Sequence, residues 1–252
     1  MPEITTTLIV LTLNEIDGCR AIMPRVKREW VDRILFIDGG STDGTVEWIR
    51  ENGYDLYLQE KPGIRGGYRS VWDSIKSDVV ITFSPDGNCI PEKIPELVEK
   101  MKEGYDLVIA SRYLNEANSD DDDIVTGFGN WLFTKTVNIF LGGKFTDVLG
   151  IFRAYRRDYV KEIGAYDEKN FDWIERLLGI SPGELCWDPF ISARTAKYRR
   201  RAGEIAASEP ARLGGERKLK VFKWGGAVLF QFLREIFSGR DPNVSERQRD
   251  ET

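Results

Sequence analysis

The strongest constraint on the fold is an alternation of strand-like and helix-like segments through the first half of the chain, at a spacing of about 25 residues. The strand-like segments are short, apolar and rich in β-branched residues, which is typical of strands buried in a parallel sheet. We predict strands at Thr6 to Leu13, Arg33 to Asp38, Tyr54 to Gln59, Asp78 to Ser84 and Tyr105 to Ser111. We predict helices at Ile16 to Trp30, Asp43 to Asn52, Arg65 to Ser77 and Pro91 to Gly104. Repeated right-handed βαβ units predict an α/β domain with a mostly parallel sheet.

The second half of the chain departs from this rhythm. A polar, acidic stretch runs from Asn115 to Asp123. Its four aspartates, Asp120 to Asp123, could hold a cation, but we prefer the interpretation that the run is a solvated, mobile loop. The later predicted elements are helices at Gly129 to Leu141 and Gly183 to Arg199, strands at Asp147 to Tyr155 and Gly203 to Ser208, and an apolar helix at Leu219 to Phe237.

Composition excludes several functional classes. The chain has 252 residues, a net charge of -5 and no histidine. Nucleic-acid binding is therefore not indicated, and catalysis must use carboxylates, Lys, Arg, hydroxyls or an oxygen-bound metal. The widely spaced Cys19, Cys89 and Cys186 fit reduced thiols that pack in the core. The amino terminus has no basic segment before an apolar stretch, so we expect no secretory signal and a cytoplasmic location.

The segment from Leu219 to Phe237 is too short and too charged to span a bilayer. Its apolar Trp224, Val228, Phe232 and Phe237, with nearby Lys218, Lys220, Lys223 and Arg234, fit a basic amphipathic helix on a membrane surface. A helix packed on the core, or a dimer contact, is the alternative, and the sequence does not decide. We divide the chain into a main domain (1–215), this amphipathic helix (216–239) and a polar disordered tail (240–252).

One strand runs directly into a carboxylate, two glycines and a helix start. Asp38 stands at the carboxyl end of its strand, where ligands of open α/β sheets bind. Gly39 and Gly40 permit a tight turn and a close approach of a ligand. Ser41 or Thr42 is predicted to cap the next helix. The same residues would also make an ordinary strand-to-helix turn with an Asx hydrogen bond, and the motif alone leaves both open.

Three other predicted strands end in polar residues at the same edge of the sheet, in the runs Thr12 to Glu15, Phe83 to Asn88 and Ala110 to Tyr113. In chain order, the pieces LTLNE, FIDGGSTDGT, IRGGYR, FSPDGNCIPE, ASRY, TDVLGIFRAYRRD and RLGGERKLK resemble family 2 glycosyltransferases of the GT-A fold. Within that family the chain is similar to dolichol- or polyprenyl-phosphate mannosyl- and glucosyltransferases. The resemblance spans roughly residues 5 to 220.

The resemblance implies a GT-A, Rossmann-like sheet that is mostly parallel and flanked by helices. It implies an inverting hexosyltransferase with a GDP- or UDP-linked sugar as donor. The favoured acceptor is a polyprenyl or dolichyl phosphate, and the enzyme would be peripheral on the cytoplasmic face of the membrane. By the same resemblance, Asn14, Glu15 and Asp38 hold the base and ribose, with Arg65 and Gly66 near the strand-three edge of the nucleotide pocket. Arg65 could equally be a surface residue.

The resemblance also implies Mg2+ or Mn2+, because Asp86 stands where the family's metal-binding DxD motif has its last aspartate. A hard cation held by carboxylate, amide and diphosphate oxygens would neutralise the leaving nucleoside diphosphate. This chain has Ser84 in place of the first aspartate and Pro85 in the middle, so one carboxylate is lost. Asn88 is predicted to supply a second oxygen. An ordinary Pro-Asp-Gly turn is the alternative.

Arg112, Arg153 and Arg212 match arginines that face the acceptor phosphate in the polyprenyl-phosphate enzymes, and guanidinium groups suit phosphate oxygens. An arginine considered alone is more often part of a surface ion pair than of a phosphate site. We count Arg112 among the catalytic residues and Lys218 among the substrate-binding ones. Asp147 is expected to orient the loop around Arg153.

The acceptor decides whether a base is needed, since a hydroxyl must lose a proton whereas a phosphate is already an anion. Asp188 is the candidate base for a hydroxyl acceptor, and a helix cap before Pro189 is its alternative role. A nucleotide-sugar-binding protein without transfer activity is a third hypothesis, motivated by Ser84. Dehydrogenases and P-loop nucleotidases are disfavoured because neither GxGxxG nor GxxxxGK[ST] follows the first strand.

Overall fold

The computed structural model describes residues 3–61, 63–213, 221–242 and 244. Its strands are β1 (Thr6–Thr12), β2 (Arg33–Asp38), β3 (Asp55–Leu58), β4 (Val79–Phe83), β5 (Leu107–Ser111), β6 (Arg153–Arg156) and β7 (Ala202–Ala206). Its helices are α1 (Ile16–Ile22), α2 (Thr45–Glu51), α3 (Ile64–Trp72), α4 (Ile94–Lys102), α5 (Ile124–Leu141), α6 (Tyr159–Glu162), α7 (Asp172–Leu178), α8 (Asp188–Lys197) and α9 (Val221–Phe237).

The strands form one sheet in the order β3-β2-β1-β4-β6-β5-β7. Strand β6 runs antiparallel to both of its neighbours, and the other strand pairs are parallel. The prediction of a mostly parallel sheet is therefore confirmed. The carboxyl ends of β1, β2, β4, β5 and β7 meet at one edge of this sheet, and β6 begins at that edge with Arg153, which pairs with Thr82 and Ile109.

Both faces of the sheet are covered, which explains why the central strands are apolar without alternation. One face packs against α1, α2 and α4 through residues such as Cys19, Ile49 and Leu97. The other packs against α3 and the helices of the second half, through residues such as Trp72 and Phe190. The two apolar layers thus fix the position of the sheet, and with it the edge at which the parallel strands end.

Several predicted boundaries are wrong in the second half. The strand predicted from Asp147 begins only at Arg153, because the Asp147 carboxylate accepts hydrogen bonds from the backbone N–H groups of Leu149 and Gly150 and folds that stretch into a turn. The helix predicted from Gly183 begins at Asp188. Helices α6 and α7 were not predicted.

The acidic run Asp120 to Asp123 is a loop in which Asp120 and Asp123 are exposed, and the other side chains of the run make specific contacts; its mobility stays a prediction. Asp121 accepts a hydrogen bond from Asn88 Nδ2 at 3.1 Å, and the Tyr113 hydroxyl donates to Asp122. Asp123 caps α5, since its Oδ1 accepts from the Thr126 N–H at 2.8 Å in a capping box. The cap explains why the helix begins before the predicted Gly129.

The predicted C-terminal helix is present as α9, and one of its faces is packed against α5, α7 and α8. Val228 and Phe232 are buried, and the Phe232 ring meets Phe133 edge-on at 5.9 Å between centroids. Buried Glu235 pairs with Arg194 at 3.2 Å. These contacts favour the core alternative for Val228 and Phe232, whereas Phe237 is 83% exposed, and contact of α9 with a membrane surface stays a prediction.

Lys218 and Lys220, and the boundary predicted at residue 215, lie outside the described residues, as does most of the predicted tail. Among the residues that are described, no helix combines the length and the apolar run needed to cross a membrane.

Candidate functional site

The corner after β2 is built around the Asp38 carboxylate, which is fully buried. Its Oδ1 accepts hydrogen bonds from the backbone N–H groups of Gly40 at 2.9 Å and Ser41 at 2.8 Å. Its Oδ2 accepts from Ser41 Oγ at 2.6 Å and from Thr12 Oγ1 at 2.8 Å. Gly40 has a φ of +97°. The Asx hydrogen bond considered from the sequence is thus present, and Asp38 fixes the shape of the corner from inside; its contact with base or ribose stays a prediction.

The helix after this corner starts later than predicted. Helix α2 begins at Thr45, with Gly44 at the N-cap position, so neither Ser41 nor Thr42 is the cap. Asp43 precedes the helix and accepts hydrogen bonds from Thr45 Oγ1 at 2.6 Å and from the Ile16 N–H at 3.0 Å. Burial alone would raise the pKa of Asp43, but these hydrogen bonds outweigh it and lower the pKa.

The loops after β1 and β2 are joined by hydrogen bonds. Asn14 has a left-handed backbone, with φ of +54°, and its Oδ1 accepts from the Thr42 N–H at 2.8 Å. The Asn14 N–H donates to Ser41 Oγ at 2.8 Å, and the Glu15 N–H donates to Thr45 Oγ1 at 3.1 Å. The predicted residues Asn14, Glu15 and Asp38 are therefore brought together at one corner of the sheet edge.

Arg212, from the segment after β7, connects this corner to the end of β4. Its Nη2 lies 2.8 Å from Asp86 Oδ2, and its Nη1 lies 3.5 Å from Glu15 Oε1. The next residue extends the contact, because the Leu213 N–H donates to the Asp86 carbonyl at 2.8 Å. Glu15 and Asp86 are both almost completely buried. The predicted Arg212 therefore lies between the two carboxylates assigned to the donor.

The turn after β4 places Asp86 and Asn88 side by side. Asp86 Oδ1 accepts from the Asn88 N–H at 3.1 Å, and Gly87 has a φ of +99°. The Pro-Asp-Gly turn considered from the sequence is thus present. Helix α1 packs directly against this turn. A Cβ added to Gly18 of α1 would lie 2.3 Å from the carbonyl oxygen of Pro85.

The residues of this turn fit an oxygen-bound divalent cation. Asn88 Oδ1 is buried without a hydrogen-bond partner, although its Nδ2 donates to Asp121. An orphaned amide oxygen beside the carboxylates of Asp86 and Asp121 is the hard donor type that Mg2+ and Mn2+ prefer. The turn therefore has ligands to offer despite Ser84.

A second acidic group lies elsewhere. Among the described residues, the carboxylates of Glu168, Asp172 and Glu175 are the group close enough to share a metal ion. Arg65 already neutralises it, with its Nη2 2.7 Å from Glu168 and 2.9 Å from Glu175. Among the described residues, none of these carboxylate oxygens is buried without a hydrogen-bond partner, in contrast to Asn88 Oδ1, and we do not assign a metal to this group.

Arg65 is not a surface residue, and the predicted contact of Arg65 and Gly66 with a nucleotide stays a prediction. The Arg65 side chain is fully buried, stacks 4.2 Å from the Phe171 ring and donates to the Leu185 carbonyl at 3.1 Å. The Gly66 N–H donates to the Gly183 carbonyl at 3.1 Å. Both residues join α3 to the second half of the chain through these contacts.

Arg112 follows β5 and is held by carboxylates. Its Nε and Nη2 contact the two oxygens of Asp147 at 2.6 and 3.0 Å, and its Nη1 lies 3.2 Å from Glu209 Oε2. Burial raises the pKa of Asp147, but the paired Arg112 outweighs it and lowers that pKa. Burial raises the pKa of Glu209. All three guanidinium nitrogens thus contact a carboxylate oxygen. Contact with an acceptor phosphate stays a prediction.

Arg153 and Asp188 form a buried pair. Arg153 Nε donates to the Gly150 carbonyl at 2.6 Å, and its Nη1 donates to Ser192 Oγ at 3.0 Å. Because its side chain is fully buried, Arg153 does not face an acceptor phosphate as the resemblance implied. The prediction that Asp147 orients this loop is confirmed, since Asp147 holds Gly150, which in turn holds Arg153.

Asp188 is also fully enclosed. Its Oδ2 accepts from Cys186 Sγ at 2.8 Å, and its Oδ1 lies 3.8 Å from Arg153 Nε. Burial raises the pKa of Asp188, against the opposing effects of Arg153 and Cys186. It is the first residue of α8, and Trp187 holds the N-cap position, so the alternative role as a cap is wrong.

The sequence reasoning missed two contributors to this edge. Asp121 was dismissed within the acidic run, yet it contacts Asn88. Glu209 contacts Arg112 from the segment after β7. The signal for Glu209 was available, because it follows a strand that ends at the same sheet edge as β5.

Comparison with known proteins places the chain in a family. The family model described as glycosyl transferase family 2 matches residues 7–164, more than half of the chain. An undecaprenyl-phosphate mannosyltransferase of Micrococcus luteus is 25% identical over 248 residues, which cover 90% of this chain and 96% of that protein. Polyprenol monophosphomannose synthase of Mycolicibacterium smegmatis is 27% identical over 192 residues, which cover 68% of this chain and 69% of the relative.

Other relatives are longer. An undecaprenyl-phosphate 4-deoxy-4-formamido-L-arabinose transferase of Aeromonas hydrophila is 26% identical, and the match covers 73% of this chain but only 52% of that protein.

Among solved structures, glucosyl-3-phosphoglycerate synthase of Mycobacterium tuberculosis, crystallised with Mn2+, uridine diphosphate and phosphoglyceric acid, has a TM-score of 0.61 at 18% identity. The match covers 94% of this chain and 80% of the synthase, and it shows a common GT-A fold. Because the family model matches more than half of the chain, the chain belongs to glycosyl transferase family 2.

Proposed function

We propose that this protein is an inverting hexosyltransferase that moves a sugar from a nucleotide diphosphate donor to a polyprenyl phosphate. The observation that carries the proposal is the convergence of Glu15, Asp86 and Arg212 at the carboxyl edge of the sheet. In open α/β sheets this edge is the usual ligand site. Family membership supports nucleotide-sugar chemistry at that position.

On the donor side, Asn14, Glu15 and the Asp38 corner form the base and ribose end of the site. Asp86 and Asn88 would hold Mg2+ or Mn2+, and Asp121 would support Asn88. When bound, the cation neutralises charge on the departing diphosphate. Arg212 adds a guanidinium at the same place, where it can stabilise the diphosphate as the sugar bond breaks. The solved structure that contains Mn2+ with uridine diphosphate supports this assignment.

On the acceptor side, the names of the relatives favour an undecaprenyl or other polyprenyl phosphate. The burial of Asp188 supports the same choice. A hydroxyl acceptor would need Asp188 to take its proton, and this carboxylate is fully buried. A phosphate oxygen is already a nucleophile, and it attacks the anomeric carbon in line while the donor is held in place.

Arg112 has a positioning role in this proposal. It joins Asp147 and Glu209, and so it connects the loop before β6 to the segment that carries Arg212. Lys218 remains assigned to substrate binding. The proposed lipid acceptor requires a location at a membrane surface, and the cytoplasmic face is part of the proposal.

The test is a donor screen. Purified protein is incubated with GDP- and UDP-linked hexoses and polyprenyl phosphate, with Mn2+ or with a chelator, and release of nucleoside diphosphate is measured. We expect release with one donor, dependent on the acceptor and reduced by chelation. Tight donor binding without release would instead indicate a binding protein that does not transfer sugar.

An Asp188→Asn variant separates the two acceptor classes. With a phosphate acceptor, the folded variant should retain turnover within about tenfold, because no base is removed. A loss of several orders of magnitude that spares donor binding would favour a hydroxyl acceptor.

A further inference from the structure

Helix α5 carries apolar side chains on the side opposite its buried face. Phe133, Thr134 and Val137 are buried against the core. The opposite side carries the exposed residues Ile124, Val125, Phe128, Trp131, Leu132, Lys135 and Ile139. At 3.6 residues per turn, these residues share about a third of the helix circumference. We call this surface the outer face of α5.

The outer face of α5 has the wrong composition for contact with water. A surface helix normally carries polar side chains away from the core. Here Ile124 is 91% exposed, Phe128 59% and Trp131 54%, and the last two rings stack 5.7 Å apart on the surface. A continuous exposed apolar strip of this kind marks a surface that binds a partner.

The position of the strip indicates which partner. Helix α5 begins immediately after the acidic segment in which Asp121 contacts Asn88. The exposed Ile124 and Val125 therefore stand at the border of the proposed transfer site. An acceptor with a long hydrocarbon chain must leave the site toward an apolar environment, and the outer face of α5 starts at that border.

We propose that the outer face of α5 lies in the headgroup region of a lipid bilayer. The inference rests on the proposed function, since a polyprenyl phosphate presents its phosphate at the bilayer surface. Trp and Phe side chains on a helix that lies in the interface are typical of this contact.

Charge favours lipid over a second copy of the chain. Lys135 lies within the strip and is exposed. A two-fold contact centred on this face would bring the two Lys135 side chains together. Anionic lipid headgroups would attract the same side chain, and its aliphatic stem can lie along the apolar surface.

This surface is additional to the one predicted on α9, of which Val228 and Phe232 are buried in the core and Phe237 is 83% exposed. The outer face of α5 would place a membrane contact on a helix in the middle of the chain.

The experiment is sedimentation of the full chain with acceptor-free vesicles of phosphatidylcholine, with or without about one third phosphatidylglycerol. The test variant is Phe128→Ser/Trp131→Ser, and the control is Leu177→Ser on α7, which removes a side chain that is 63% exposed. We expect the double variant to bind at least about tenfold more weakly, because binding scales with buried apolar area. Leu177→Ser should bind like the unmodified chain.

Lys135→Ala supplies an independent readout. It should weaken binding about fivefold to vesicles that contain phosphatidylglycerol and leave binding to pure phosphatidylcholine unchanged. Thermal melts of all variants should coincide, since each side chain is exposed.

Two results would overturn the proposal. One is equal vesicle binding by the double variant and the unmodified chain. The other is a dimer in solution that the double variant abolishes while vesicle binding is absent throughout. Sugar transfer is measured separately with a short, water-soluble polyprenyl phosphate. Vesicle binding without any sugar transfer would contradict the proposed function and still support contact of the outer face of α5 with a bilayer.

Discussion

At the scale of single residues, the site depends on charges that neutralise one another at the sheet edge. Arg212 lies between Glu15 and Asp86, and Arg112 lies between Asp147 and Glu209. Buried carboxylates of this kind are costly without a cation nearby. Each arginine thus offsets the charge of the carboxylates that it contacts.

Arg212→Ala should lower kcat/KM for the donor by about 10²- to 10³-fold, because in the proposed function it removes the guanidinium that stabilises the departing diphosphate. Arg176 on α7 has a side chain that is 84% exposed, and Arg176→Ala is the matched control. Steady-state kinetics with the donor found in the screen measures both. Equal kinetics for the two variants would contradict the role of Arg212.

Asp147→Asn should lower the free energy of unfolding by about 3–5 kcal/mol at pH 7, because Arg112 is left buried without its main partner. The pKa of Asp147 is lowered below its ordinary 3.8. Its contribution is therefore present above that value and is lost as the pH falls through the lowered pKa. The difference between unmodified protein and variant should shrink below about pH 4.

Denaturant titrations at pH 7 and pH 3 measure this difference. Asp158→Asn, which removes an exposed carboxylate paired with Arg157, is the control and should change stability by less than about 1 kcal/mol. A difference for Asp147→Asn that is the same at both pH values would be inconsistent with the assigned pKa direction.

At the scale of elements, the buried parallel strands could be predicted from sequence because burial on both faces leaves continuous apolar runs. Strand β2 matches its predicted bounds. Helix starts were harder, because they depend on turns. Asp43 and Gly44 precede α2 where a Ser or Thr cap was predicted, and the Asp123 capping box starts α5 early. No periodicity encodes such side-chain to backbone hydrogen bonds.

The packing of α1 against the turn after β4 gives a prediction at this scale. Gly18→Ala should destabilise the protein and weaken Mn2+ binding at Asp86, because the added methyl group would collide with the Pro85 backbone. Gly226→Ala in α9 is the matched control. No described atom lies near its added Cβ, so it should stabilise the protein by up to about 1 kcal/mol.

Thermal unfolding and titration of Mn2+ by electron paramagnetic resonance measure the two effects. Normal Mn2+ binding in a well-folded Gly18→Ala variant would argue against the tight packing of α1 on the Asp86 turn.

At the scale of the whole molecule, the second half of the chain provides contacts that sequence order could not reveal. The nearness of Asn14, Glu15, Asp38 and Asp86 could be predicted, because each follows a strand of one parallel sheet. The partners Arg212 and Glu209 come from beyond β7, and the acidic partners of Arg65 come from the region around α7. The sequence could place Glu209 at the sheet edge, after a strand, but each of these pairings depends on tertiary packing.

Arg65→Ala should lower the free energy of unfolding by about 3–5 kcal/mol, because buried Glu175 loses its cation. The KM for the donor should stay within about twofold wherever the variant is folded, since the buried Arg65 side chain is already paired with Glu168 and Glu175. Arg33→Ala, which breaks an exposed ion pair with Asp55, is the control. A large rise in KM for the donor with unchanged stability would instead indicate that Arg65 lies in the nucleotide pocket.

The most direct test of the central claim is the product itself. With the donor found in the screen and polyprenyl phosphate, the unmodified chain should form a glycosyl polyprenyl phosphate whose anomeric configuration is inverted, and Asp86→Ala should form it at least about 100-fold more slowly. Mass spectrometry and nuclear magnetic resonance of the extracted lipid measure both. Retention of configuration, or equal product from Asp86→Ala, would contradict the account.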